Sequence, residues 1–318
     1  MKKWQIAVLL LALLMIAVVA VGCDNGTTTQ VPDNTDDGLD VNLEELKATY
    51  GEFSIIGDGV EGVWSSDNKT YTISVAAAKS SFTLTGYFEG QIIIDTANEL
   101  SSYKGVELSL EGACLVSKSG PNIDYQPTSK NVEIVAKNGT ENYVINLGEA
   151  NDDCAVVSAK NIEIDGKGTL NVLTLTGHCF NADDTIRLYS APTLNLTSGH
   201  DAIHAKEFVA NNGEAAGTAD YKVFAGTLNV LSAKSQAFDC TSGKGKGAID
   251  LTSGTFNITN CESAFKTDTT LTIGGTVAVT NLTADVVVKG ESATQVTITV
   301  LEGGSFTVNG EAYTITEV

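Results

Sequence analysis

The sequence predicts an all-β chain wound as a parallel β-helix, and three observations carry that reading. The composition is the first: of 318 residues only 18% are charged and 7% aromatic, with 31 Gly and 4 Pro. Thr, Val, Ile, Asn and Ser are dense throughout, which favours strands and turns over helix. The second is a recurring segment: GTLNV (168–172), PTLNL (192–196), GTLNV (226–230), GTFNI (254–258), GTVAV (275–279) and GSFTV (304–308). Their central apolar residues stand 24, 34, 28, 21 and 29 apart, a period that marks a solenoid. The third is alternation of apolar and polar residues in NIEI (161–164), LNV (170–172) and TIRL (185–188), which puts one face inward and one outward. No ten-residue amphipathic helix fits inside a unit, so helical repeats are excluded and about three strands per coil remain.

The chain opens with MKKWQIAVLLLALLMIAVVAVGC (1–23). Two lysines precede an apolar run that ends in small residues, the pattern of a signal peptide over 1–22. Ala20-Val21-Gly22-Cys23 resembles a bacterial lipobox, which makes Cys23 the lipidation site and the lipid bilayer a partner. The expected location is extracytoplasmic and membrane-anchored, at the cell surface or in the periplasm. Residues 23–50 follow as a flexible tether and short N-terminal cap. DNGTTTQVPDNTDDGLDV (24–41) is polar and unpatterned, and NLEELKATY (42–50) suits one short helix. The β-helix domain spans 51–318.

The net charge is −20 and becomes more negative when Lys2 and Lys3 leave with the signal peptide. Such a surface repels nucleic acid and anionic membranes and attracts cations. Besides Cys23 there are Cys114, Cys154, Cys179, Cys240 and Cys261, with no CxxC pair, so a zinc ribbon is excluded. Cys179 falls among Ala155, Ala202, Ala237 and Ala264, and Cys240 among Ser158, Ala182, Ala205 and Thr267. Both read as buried small residues.

Stacked coils imply inward columns: Val156, Phe180, Ile203, Phe238 and Phe265; Leu170, Leu194, Leu228, Phe256 and Val277; Ile162, Ile186, Ile249 and Leu271. The same stacking answers why all three histidines lie within residues 178–204. Val157, Asn181, His204, Asp239 and Lys266 form one outward column. Cys154, His178, Asp201 and Gln236 precede it, with Asp153 and His200 one place earlier. These residues are expected on one surface strip, neighbours ~5 Å apart.

The order of YTISVAAAKSSFTLTGYFEGQIIID (71–95), GVELSLEGACLVS (105–117), KNIEIDGKGTLNV (160–172), DAIHAK and GGTVAV resembles a family of bacterial extracytoplasmic carbohydrate-binding proteins. Its fold is a right-handed parallel β-helix, similar to pectate and polysaccharide lyases. The resemblance covers roughly 60–318. It implies binding of plant-wall polysaccharide, cellulose or polygalacturonate, with bound calcium. Family coils often read Asp-Gly-Ile at the turn, where this chain has Asp201-Ala202-Ile203, His178-Cys179-Phe180 and Gln236-Ala237-Phe238. That points to one irregular calcium site, not a repeated one.

Three readings of the strip remain open. Calcium needs 6–8 oxygens, for which Asp183, Asp184, Asp201 and Asp239 are candidates, with Asp152 and Asp153 nearby. Three histidines and an aspartate suit zinc. The third reading is a solvated column of polar turns. His178, His200, His204, Asn181 and Tyr189 are candidates for contact with sugar. Trp64, Tyr71, Tyr87, Tyr103, Tyr125, Tyr143 and Tyr221 are further aromatics available for stacking, and the sequence leaves open which of them face outward. A lyase needs a basic residue near the cation, for which Lys206, Lys266 and Arg187 stand available. Few cations remain to grip a polyanion, so non-catalytic binding is favoured. A pectate-lyase-like enzyme and a structural or adhesive solenoid are the alternatives.

Overall fold

Repeating apolar positions need repeating neighbours, and the chain supplies them by parallel pairing. A computed structural model describes residues 41–57, 62–67, 69–74, 80–95, 105–150, 154–211, 223–242, 247–291 and 293–315. The apolar leader, Cys23, most of the tether, Asp152, Asp153, Tyr103 and Tyr221 lie outside the described residues. Among the described residues the structure is all-β but for helix α1 (Leu43–Tyr50), where NLEELKATY predicts a helix. The Asn42 side chain accepts the Glu45 N–H at 3.2 Å and so caps the first turn. Tyr50 packs edge-on against Tyr143 and donates to the Glu141 carbonyl at 3.1 Å.

Each full repeat contributes three strands. Val156–Ser158, Asn161–Gly166 and Thr169–Thr174 are followed by Phe180–Ala182, Thr185–Leu188 and Thr193–Ser198. Each strand of the first set pairs in parallel with its counterpart in the second. Three ladders result. The first forms a 10-stranded sheet. The second and third join in an 18-stranded sheet, because Ser80–Glu89 and Val106–Ser117 run through both. Antiparallel pairs occur near the two ends: Ser54–Gly57 on the strand Ser80–Glu89, Val63–Trp64 on Thr70–Ser74, and Glu311–Ala312 on Ser305–Val308. Such pairs shield open sheet edges.

The expected inward columns exist residue for residue. Val156 pairs with Phe180, Phe180 with Ile203, Ile203 with Phe238 and Phe238 with Phe265, and all five are fully buried. Leu170, Leu194, Leu228, Phe256 and Val277 stack likewise. The Ile column is filled out by Phe208 between Ile186 and Ile249, and it runs on to Val132 and Val106 at one end and Ile298 at the other. Aromatic stacking adds to area burial, with Phe238 and Phe265 ring centroids 5.5 Å apart at 22°.

The glycine that opens most GTLNV segments has a steric cause. A Cβ on Gly168 or Gly226 would stand 2.2 Å from the carbonyl oxygen of Lys137 or Pro192 one rung earlier. The asparagine of the segment faces outward. Asn195 donates to Asn171, Asn229 to Asn195 and Asn257 to Asn229, each at 2.8 Å, so one side-chain chain of hydrogen bonds climbs the third ladder.

Candidate functional site

On the first ladder the outward positions also keep register. Val157 pairs with Asn181, Asn181 with His204, His204 with Asp239 and Asp239 with Lys266. The turns leading into these strands carry His178 and Asp201. Ser198 Oγ bridges both turns, its single proton lying between the Asp201 carbonyl at 2.7 Å and the Gly177 carbonyl at 2.9 Å. Thr174 Oγ1, one rung below, also donates to Gly177. These hydroxyls sit at the ends of the TLNVLT and TLNLTS strands, a recurrence visible in the sequence that the reading above did not use.

The expected surface strip is in part buried. Asp201 is 1% exposed, Asp239 4% and His178 9%, and Cys154 is buried too. His204 and Asn181 are half-buried and His200 is exposed.

All three histidines converge on one oxygen. Asp201 Oδ2 lies 3.1 Å from His200 Nδ1, and 3.3 Å from both His178 Nδ1 and His204 Nδ1. Asp201 Oδ1 accepts the Gln236 N–H at 2.9 Å, which aims Oδ2 at the rings. His178 packs against His200 and His204 with ring centroids 4.7 and 4.6 Å away. His200 and His204 face Oδ2 in hydrogen-bonding geometry, whereas His178 Nδ1 is buried and makes no hydrogen bond despite its proximity.

The electrostatics separate the rings. Burial pushes His178 down to about 4, with His204 adding to the shift and Asp201 opposing it. The hydrogen bond to Asp201 raises His204 against its own desolvation. Burial works to raise the Asp201 carboxyl, but bonds from His204 and the Gln236 N–H, with the charges of His178 and His200, hold it below the usual carboxylate range.

Among the described residues, Asp183, Asp184, Asp201 and Asp239 do not gather into one oxygen cage, and Asp152 and Asp153 lie outside those residues. Asp184 is engaged with Lys160 at 2.5 Å, Asp239 with Lys266 at 2.8 Å and with Thr241 at 2.8 Å, and Asp183 is exposed in the turn beside Asp184. Asp201 faces ring nitrogens, which calcium accepts poorly. Among the described residues, the one group of three His, Cys, Asp or Glu ligand atoms that converges is His178, Asp201 and His204, all within 4.8 Å of one another.

The basic residues divide in the same way. Desolvation works to lower Lys266, but its bond to Asp239 and the charges of Asp239 and Asp201 leave it raised, the opposite of what a general base needs. Arg187 stands on the second ladder in register with Glu163 and Val209, away from the histidine column. Tyr189 follows that same strand and donates to Glu163 at 3.4 Å. Lys206 is half-buried and its N–H donates to the Asp184 carbonyl at 2.8 Å. Asn181 Nδ2 points at Cys154 Sγ at 3.8 Å.

Of the aromatics available for stacking, Tyr71, Tyr125 and Tyr143 are buried and present no open face. Tyr125 lies on the inward face and sends its hydroxyl to the Ser129 carbonyl at 3.0 Å. Trp64 is exposed, and it packs on Tyr71 and Phe88. The five cysteines past the leader are all buried free thiols.

Comparison with known proteins adds two findings. A family model described as "Carbohydrate-binding domain-containing protein" matches residues 67–317. Among solved structures, the chain resembles the polysaccharide lyase-like protein from C. thermocellum, gadolinium derivative. The TM-score is 0.57 at 18% identity, covering 76% of this chain and 90% of that one, a likeness of fold alone. No curated protein matches the chain.

Proposed function

We propose that this chain, which belongs to the carbohydrate-binding domain-containing protein family, binds extracellular polysaccharide without cleaving it. The observation that carries the reading is the family match across 67–317, the span that builds all three ladders. The polar column Asn181, His204, Asp239 and Lys266 supplies donors and acceptors at the regular rise of the strands, a spacing suited to an extended chain of hydroxyls. A polymer of the cellulose or polygalacturonate type is the proposed ligand, and the proposed winding is a right-handed parallel β-helix.

Non-catalytic binding is favoured over lyase chemistry because the lysine of the column is kept protonated by Asp239. Calcium is proposed as a bridge between exposed carboxylates such as Asp183 and the carboxylates of an acidic polymer, which would complete its oxygen shell. Attachment to the membrane through Cys23 is proposed on the leader sequence.

Pull-down of the purified protein on cellulose and on polygalacturonate, with calcium or with a chelator, tests the function. Retention on either polymer, weakened by His204→Ala or Lys266→Ala, is the expected result. Accumulation of ultraviolet-absorbing unsaturated product from polygalacturonate would replace binding with lyase activity. No retention on any polysaccharide of a glycan panel would leave the solenoid a structural element. Metabolic labelling with a fatty-acid analogue, lost in Cys23→Ala, tests the anchor.

A further inference from the structure

A carboxylate oxygen offers about two lone-pair directions, yet Asp201 Oδ2 faces three ring nitrogens at 3.1–3.3 Å. Hydrogen bonding satisfies His200 and His204 and leaves His178 Nδ1 buried without a partner. A buried, unpaired ring nitrogen is costly, and this one points into a cluster of ligand atoms.

We propose that His178, Asp201 and His204 form a binding site for a divalent transition-metal ion of the zinc class, with His200 as a positioning residue. A tetrahedral zinc shell with Zn–N and Zn–O of about 2.0–2.1 Å has ligand-to-ligand edges of about 3.3–3.4 Å. The Nδ1 atoms of His178 and His204 each stand 3.3 Å from Asp201 Oδ2, already at that edge length. The ion completes every contact that hydrogen bonds alone cannot. It takes the lone pair of buried His178 and of His204 and one lone pair of Oδ2. The other lone pair of Oδ2 accepts His200 Nδ1–H, and Oδ1 keeps the Gln236 N–H that orients the carboxylate. Three protein ligands leave a fourth position for water or a ligand hydroxyl beside half-exposed His204. Lys266 neutralises Asp239 next to the site, so Asp239 is not needed as a ligand.

The site does not depend on carbohydrate binding, and its test uses metal alone. The full chain, purified in detergent without a histidine tag and stripped with chelator, is titrated with zinc. One ion per chain is expected, undisplaced by a large excess of calcium. X-ray absorption at the zinc edge should then show two imidazole nitrogens and a carboxylate oxygen at about 2.0–2.1 Å. His204→Gln and His178→Gln should each weaken zinc more than 100-fold, and His200→Gln only about tenfold, the scale of an outer-shell residue. His204 is half-buried, so its variant tests the site even where His178→Gln misfolds, and the absorption spectrum needs no variant. No retained zinc, a shell of oxygens alone, or affinity unchanged in His204→Gln would overturn the proposal.

Discussion

Two outward columns run along this molecule, and they use the same backbone differently. On the third ladder Asn171, Asn195, Asn229 and Asn257 repeat one residue, and each amide serves the next at 2.8 Å. On the first ladder Asn181, His204, Asp239 and Lys266 differ at every rung. The uniform column passes its hydrogen bonds from rung to rung and ends on Glu141 and the Asn142 carbonyl, which accept from Asn171. The varied column, with the turns before it, buries charge and leaves His178 Nδ1 without a hydrogen bond. Repetition thus builds the frame, and departure from repetition builds the site.

Four measurements break or sharpen that contrast. Beneath both columns the interior is alike, so Phe238→Ala and Phe256→Ala should each cost about 3–5 kcal/mol in urea unfolding. A large gap between the two costs would mean that the columns rest on unlike foundations. Asp201→Ala should cost about 2–3 kcal/mol without added metal, because the Gln236 N–H and the imidazoles lose their acceptor. Lys266→Met should cost about 1–2 kcal/mol at neutral pH by stranding buried Asp239, less than for a fully buried pair because Lys266 is partly exposed. Lys266 is raised in the fold, so its contribution is complete below the unfolded lysine value of about 10.4 and fades as pH climbs through the higher folded one. The gap between wild type and Lys266→Met should therefore hold constant from neutral pH to about 9 and narrow only in strong alkali. Asn229→Ala should cost least, about 0.5–1 kcal/mol, since its neighbours turn to water. A loss at Asn229 greater than at Asp201 would invert the contrast.

The frame was legible in the sequence because a period fixes register. Once GTLNV segments align, Phe180 must meet Ile203, and the structure pairs them. Phe208 escaped because EFV (207–209) puts apolar residues on both faces, so alternation did not mark it. The meeting of all three histidines followed from the same stacking. Their shared focus on a buried Asp201 did not, because an aspartate in a turn reads as solvated, and its burial depends on how Ser198 and Thr174 draw the turns inward. The inward position of Tyr125 was hidden for a related reason. A tyrosine can face inward when its hydroxyl finds a backbone carbonyl, and only the folded turn supplies Ser129.

Within the ladders each strand bonds to the rungs on either side, so copying or deleting one whole three-strand repeat would preserve most of the pairing. The histidine cluster is the exception. It draws His178, Asp201 and Gln236 from three consecutive repeats, so an extra repeat spliced between any two would part its members. Repeats could be added beyond the cluster, while the stretch from His178 to Gln236 is locked to its present count.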